Sequence, residues 1–516
     1  NYSIYVESKM MWFQKISDFL KKSLKEKLSR DAAVILLVFI ISLSGFFFGE
    51  KIAEIGLFGD ELVYRNLARD FPGEIIFKRQ SSFRMQRSLP MFSVYYGLKL
   101  FQLPHTDEMI FRAFGLCTVA LLTLSGWFWC QLVRLLQISN TGKWLGFIAL
   151  FLNYPILKQA PYCPIATDYY AFCMGFSLIY FYLKDNFLGI YITSLIAAFC
   201  WPILPYIAIL LVAFPKERHG GGKEKPARFF LNYLIALGVA GAITYKTIYW
   251  YTGERAVLSF MTHLFSTGTN RPNLALLNVS IALVVIYLFF ALSILLNSKK
   301  IFQPKYIFQN MSFLRPFILI AAISGIKFFL SNISGRRETM MTLSQVVKDT
   351  LGGGIMQPLL FLLSHIIFYG PFIIFFVLFW KRTVRIIQKQ GLGLVMCCVL
   401  CIILSLHSES RRMINFYPIF IPFLIKALDD FEWPRAYLWF LTLVSLFGSK
   451  AWLTIHSRPW DGGALVFPQQ NYFMNYGPWM NNQMYMIQGA VVSILFIIFL
   501  ILFKWDPFKF VKIKIV

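Results

Sequence analysis

The feature that most constrains this chain is a succession of apolar runs, each about as long as a membrane-crossing helix. They lie near 33–49, 113–134, 143–157, 169–183, 187–214, 229–250, 274–296, 313–330, 358–380, 391–406, 413–428, 436–455 and 486–503. A straight helix needs about 20 apolar residues to cross the hydrocarbon core, and most of these runs meet or approach that length. A water-soluble domain has no place for so many. The 516 residues are 57% hydrophobic and only 15% charged, against about a quarter charged in ordinary soluble domains. The expected fold class is therefore an all-α polytopic membrane protein. The run over 187–214 holds Trp201-Pro202 and Pro205 near its middle, which predicts two short helices meeting at the prolines.

The formal net charge of +25 raises nucleic acid as a partner, but the basic residues sit in short clusters between apolar runs, as topology signals do. Nucleic-acid binding is not expected. With the run at 187–214 counted as two helices, Lys21–Arg30, Pro215–Arg228, Lys299–Arg315, Lys381–Lys389 and the tail from Lys504 all fall on the cytoplasmic side. This predicts a basic cytoplasmic segment over 1–32, a membrane domain over 33–503 and a basic cytoplasmic tail over 504–516. No small-residue cleavage site follows the first apolar run, so a removable signal peptide is not expected. The opposite face receives loops at 50–112, 158–168, 331–357 and 456–485. Within the first, Ser88–Leu103 is apolar but short and carries Lys99, which predicts a helix lying in the membrane interface; a true span there would invert every later loop. The eight cysteines lie mostly inside apolar runs and read as small core residues.

The candidate chemistry gathers on the outer loops. GLFGDELVYRNLARDF places Asp60 and Glu61 just beyond the first span. A carboxylate there suits proton abstraction from a hydroxyl, or a divalent cation held against phosphate; the plainer reading is that both acids favour the start of the helix that follows. Asp168 stands alike in PYCPIATDYYAF, before the next span, either as a helix cap or as a partner of the first pair. Arg411 and Arg412, in HSESRRMINFYPIFIP, occupy the face where basic residues are disfavoured, which calls for a local anion: phosphate, Glu409 or lipid headgroups. Arg336, Arg337, Arg84 and Arg87 are further outer-face arginines. His263, His365, His407 and His456 are too scattered for a metal site, and LGGGIMQP lacks the Lys-Ser/Thr of a nucleotide-binding loop.

In order, GDELVYRNLARDF, RSLPMFSVYYGLKLF, an arginine-opened span at Arg112, PYCPIATDYYAF and RRMINFYPIFIPFL resemble the GT-C superfamily of integral-membrane glycosyltransferases. The nearest likeness is to the aminoarabinose transferase and protein O-mannosyltransferase branch. Ser88-Leu89-Pro90 departs from the Pro-Pro that leads the interfacial helix in that branch. The resemblance implies a GT-C fold with about 12–14 transmembrane helices and interfacial helices in the first outer loop. It implies a sugar moved, with inversion, from a polyprenyl-phosphate donor to a glycan, lipid or protein acceptor at the non-cytoplasmic face of a membrane, such as the bacterial cytoplasmic membrane. Asp60 would be the general base, Glu61 and Asp168 would orient the acceptor or bind a divalent cation, and Arg411 and Arg412, with Arg336 and Arg337 in reserve, would hold the phosphate. Tyr64, Arg84, Arg87, His407 and Tyr417 would line the donor and acceptor sites. The alternatives are a flippase for lipid-linked saccharides and a polymerase using a diphosphate-linked donor. A transporter calls for charges in mid-span, and Lys246 and Lys327 are the main ones here.

Overall fold

The computed structural model describes residues 30–51, 60–77, 80–216, 238, 276–297, 304–335, 343–453, 477, 480 and 482–502. Among them there are helices and no β-strand. Five helices are long and apolar enough to cross a membrane: α1 (Arg30–Phe48), α6 (Asp107–Leu135), α11 (Leu277–Leu295), α12 (Leu314–Ile333) and α20 (Asn482–Leu502). The fold is thus an all-helical membrane bundle. The segment between α1 and α6 folds into α2 (Asp60–Arg69), α3 (Phe71–Ile76), α4 (Ser82–Met85) and α5 (Ser88–Leu100). After α6 come α7 (Asn140–Phe151), α8 (Asp168–Leu183), α9 (Phe187–Ala197) and α10 (Leu204–Ala213).

α1 and α6 pack side by side, with small residues at the contact. A Cβ on Gly126 would meet Val38 at 3.2 Å, and one on Gly115 would meet the Phe46 ring at 2.5 Å. Such close approach gives helices dispersion contact where lipid offers no hydrophobic contrast. Ion pairs mark the two ends of α6. Asp31 binds Arg134 and Lys143 at one end, while Arg65 and Arg69 bind Asp107 at the other. His105 Nδ1 donates to the Arg69 carbonyl at 3.1 Å, so the chain from 69 to 105 returns to where it left and makes no net passage along α6.

The run at 187–214 divides as Trp201-Pro202 and Pro205 require, into α9 and α10. The run at 143–157 is less regular than its composition suggests. α7 stops at Phe151, and a π-helical turn, Pro155–Gln159, follows. Pro155 has no N–H to continue the ladder, and the buried Asn153 carboxamide takes over, donating to Ala149 O and Leu150 O and accepting from Ile156 N–H.

The run at 358–380 is broken as well. α13 (Leu343–Ile355) and α14 (Leu360–Tyr369) meet at a 95° bend, and α14 ends at Gly370, whose φ of +85° a side chain would strain. Pro371 then opens α15 (Phe372–Leu378), followed by the basic amphipathic α16 (Trp380–Gln390) and α17 (Leu392–Leu404). A 3-10 turn, Ser410–Met413, leads into α18 (Tyr417–Leu428), and α19 (Arg435–Gly448) follows. The run at 229–250, apart from residue 238, lies outside the described residues, as do the segment 1–29, the tail from 503, residues 336–342 and most of 456–485. All eight cysteines are free, and all but Cys117 and Cys401 are buried.

Candidate functional site

The first turn of α2 puts Asp60 and Glu61 about 100° apart around the helix, so each reaches a different arginine. Asp60 Oδ1 lies 3.7 Å from Arg84 Nε, and Oδ2 lies 3.5 Å from Arg87 Nη1. Tyr64, one turn further on the same face, accepts from the same Arg87 Nη1 at 2.9 Å. Burial raises the Tyr64 phenol to about 12, although Arg87 pulls it down. Glu61 Oε1 instead lies 3.3 Å from Arg411 Nη1.

Arg411 is also the partner of Asp168. Its Nε and Nη2 donate to the two oxygens of that carboxylate at 3.1 and 3.3 Å, the forked geometry that guanidinium and carboxylate share. Asp168 is the first residue of α8 and is 1% exposed. The two outer-loop acids and the late arginine predicted from separate motifs are therefore one contact group. Both oxygens of Asp168 are engaged, and Arg411 stands between two carboxylates rather than open to solvent. Burial raises the Glu61 carboxyl above its ordinary range; the Arg411 charge opposes this without overcoming it.

Arg412 heads a second group. Its Nε donates to Glu409 Oε2 at 2.8 Å, and its Nη1 donates to Asp349 Oδ2. His407 Nε2 lies 3.6 Å from the same Asp349 oxygen, and His407 Nδ1 accepts the Glu409 N–H at 2.9 Å, which places the ring proton of the neutral form on Nε2. Burial lowers the His407 pKa, and the Arg412 charge adds to that. Burial pushes Glu409 up, but the Arg412 charge, with His407 and Arg411, outweighs it and leaves the carboxyl below its ordinary value. The pairing of Arg412 with Glu409 that the sequence left open is thus present. Asp349 was not foreseen: it is a lone acid in VVKDTLGGG, brought in by α13.

Of the residues expected at the site, Asp60, Glu61, Tyr64, Arg84, Arg87, Asp168 and Arg411 form one connected set, and His407 and Arg412 form its neighbour. Tyr417 stands apart from both charged groups, in the wall of a neighbouring cavity: its hydroxyl donates to Ala149 O at 2.9 Å, and its ring stacks on Tyr369 with centroids 4.2 Å apart. Arg336 and Arg337 lie outside the described residues. Among the described residues no group of three His, Cys, Asp or Glu side chains is placed to hold a metal ion. Asp60 and Asp168 are each engaged with arginines, a donor set that does not suit a cation.

Beside the arginine turn lies a cavity of about 160 Å³, with walls that include Tyr287, Phe361, Trp380, Met413, Phe416 and Tyr417. His365 and Ser405 also face it. His365 Nε2 lies 2.8 Å from the Ser405 carbonyl, which only accepts, so Nε2 carries the proton and Nδ1 accepts from the Ser410 hydroxyl at 2.9 Å. Tyr369 OH donates to Ser410 O at 2.9 Å. The residue preceding the two arginines is therefore fastened to the cavity wall through both its side chain and its backbone. No family model, curated protein or solved structure is similar enough to this chain to establish kinship.

Proposed function

We propose that this protein is a membrane glycosyltransferase that moves a sugar from a polyprenyl-phosphate carrier to a hydroxyl acceptor at the non-cytoplasmic face. The observation that carries the reading is one juxtaposition: the turn bearing Arg411 and Arg412 abuts both Glu61, the neighbour of Asp60 in α2, and an aromatic-walled apolar cavity. A donor with a hydrocarbon tail and a phosphate head matches that pairing. The tail suits the cavity and the phosphate suits the arginines.

Exposure decides among the acids. The Asp60 side chain is 35% exposed, Glu61 14% and Asp168 2%, so Asp60 is the carboxylate a second substrate reaches. In the proposed step the Asp60 carboxylate takes the proton of the acceptor hydroxyl, the acceptor oxygen bonds to the anomeric carbon, and the bond from that carbon to the phosphate oxygen breaks. The phosphate leaves with the bonding electrons, and the charge it gains is met by Arg411 and Arg412. Because Arg411 rests on Glu61 and Asp168, phosphate must compete with a carboxylate. Glu61 is the one that yields, since burial already favours its neutral form. Asp168 then keeps the guanidinium in place.

Asp60→Asn tests the assignment in purified protein supplied with polyprenyl-phosphate sugars. Loss of a general base lowers turnover by roughly 10² to 10⁴-fold, while carrier binding stays at its wild-type value; the variant unfolds somewhat more easily, because Arg84 and Arg87 lose their shared carboxylate. Wild-type turnover in a folded Asp60→Asn sample removes Asp60 from this role. A wild-type protein that transfers no sugar but moves lipid-linked saccharide across vesicles is a flippase instead.

A further inference from the structure

Arg87 does more than neutralise Asp60. Its guanidinium carbon stands 4.9 Å from the Trp201 ring centroid and 4.9 Å from that of Phe83. Trp201 lies in the proline break between α9 and α10, and the Leu89 N–H of α5 donates to Phe199 O at the same break, at 3.1 Å. Stacking engages ring faces and leaves the in-plane N–H groups unused. Among the described residues Arg87 Nε and Trp201 Nε1 are both buried donors with no acceptor, and Trp201 is only 4% exposed. The Ser81 hydroxyl, six residues before Arg87, is also buried without a partner among the described residues. A buried N–H without an acceptor costs about 1–3 kcal/mol, so two on stacked side chains need an explanation.

The local charge indicates what is missing. Arg84 and Arg87 share the single carboxylate of Asp60, Glu61 is engaged with Arg411, and Glu74 is hydrogen-bonded to Gln80. Two guanidinium charges against one carboxylate leave a positive excess beside unused donors. That combination selects an oxyanion over a neutral hydroxyl, since charge-assisted hydrogen bonds are roughly twice as strong as neutral ones.

We infer that Trp201 and Arg87 form an oxyanion subsite beside Asp60, which takes a phosphate or carboxylate group of the molecule bound there. In the glycosyltransferase reading that molecule is the acceptor, and its identification as acceptor rests on that reading; the binding itself does not. The subsite would hold an anionic acceptor with its hydroxyl at Asp60, apart from the carrier phosphate at Arg411 and Arg412.

The test uses the full chain in lipid nanodiscs, labelled with ¹⁵N at the indole nitrogens of its 13 tryptophans. Trp201→Phe keeps an aromatic ring for stacking, deletes the N–H, and assigns the Trp201 signal. Titration with phenyl phosphate or benzoate is expected to shift that signal downfield to saturation, whereas methyl glucoside leaves it in place. A shift with phenyl phosphate alone identifies a phosphate, and with benzoate alone a carboxylate. By calorimetry, which needs no Trp201 signal, Trp201→Phe and Arg87→Lys, each with a wild-type unfolding transition, should bind the active anion about tenfold or more weakly. The subsite is overturned if neither anion moves the signal, as when only water meets these donors, if the glycoside moves it equally, or if folded Trp201→Phe binds as wild type does. Because no sugar is transferred, a negative result here leaves the Asp60 assignment standing, and failure of Asp60 leaves this one standing.

Discussion

Arg411 holds both carboxylate oxygens of Asp168, a residue 243 positions earlier in the chain, and the pair ties the start of α8 to the turn before α18. Both side chains are at least nine-tenths buried. Removing one partner of such a pair strands a charge away from water and costs about 3–5 kcal/mol, well above the net worth of the pair itself. Asp168→Asn and Arg411→Met should each lower stability by about that much in a reversible detergent titration. The double variant should fall short of the sum by about 0.5–3 kcal/mol, because neither charge is then left alone. Strictly additive losses would show that the two side chains do not depend on one another.

Glu61 gives the same neighbourhood a pH dependence of defined sign. Its carboxyl is raised above the ordinary value of 4.5 because burial disfavours the anion more than Arg411 favours it. Between 4.5 and the raised native value, the folded protein retains a proton that the unfolded chain has released. The stabilisation linked to this group is therefore complete below pH 4.5 and is lost as pH rises through the native value. Glu61→Gln cannot titrate. The stability difference between wild type and Glu61→Gln should move against wild type as pH climbs from 4.5, and unfolding titrations of the two proteins across pH 4–8 measure it. A difference that is flat with pH, or that moves the other way, contradicts a raised Glu61.

How far the sequence reached depends on which interactions are local. α1, α6 and the division at Trp201-Pro202 were legible because apolar length and a proline ring act within one segment. The end of α7 was less so: Pro155 is a visible stop, but the Asn153 carboxamide that completes the turn reads in sequence as an ordinary polar residue. The 95° bend between α13 and α14 carries no local signature of that angle. At the site, outer-loop position and order in the chain singled out Asp60, Glu61, Asp168 and Arg411. Which acid meets which arginine was not legible, since a Coulomb partner is chosen by a distance of a few ångströms between segments hundreds of residues apart. Asp349 and Trp201 were missed as site residues for a related reason: each is an ordinary helix or break residue until packing sets it beside an arginine.

The approach of α8 to the arginine turn rests on a glycine. A Cβ placed on Gly175 would fall inside the contact distance of the Asn415 carbonyl oxygen and within 2.8 Å of the Pro418 ring. A carbonyl in a tight turn and a proline ring are both poor at moving aside, so Gly175→Ala must push α8 away from the segment that carries Arg411. Overpacking of this kind costs about 1–3 kcal/mol, and here it also lengthens the reach from Arg411 to Asp168. Gly97 in α5 provides the contrast, since a Cβ there meets nothing within 4 Å. Alanine at Gly97 should be neutral or stabilise by about 0.4–1 kcal/mol, through lower chain entropy in the unfolded state. Detergent titrations of Gly175→Ala and Gly97→Ala measure the two signs directly. The Gly175→Ala loss should shrink when Asp168 is already asparagine, because the ion pair that the displaced helix would break is no longer there. If Gly175→Ala is as mild as Gly97→Ala, α8 does not set the distance between Asp168 and Arg411, and the turn from Ser410 to Met413 has to be positioned from the His365 side alone.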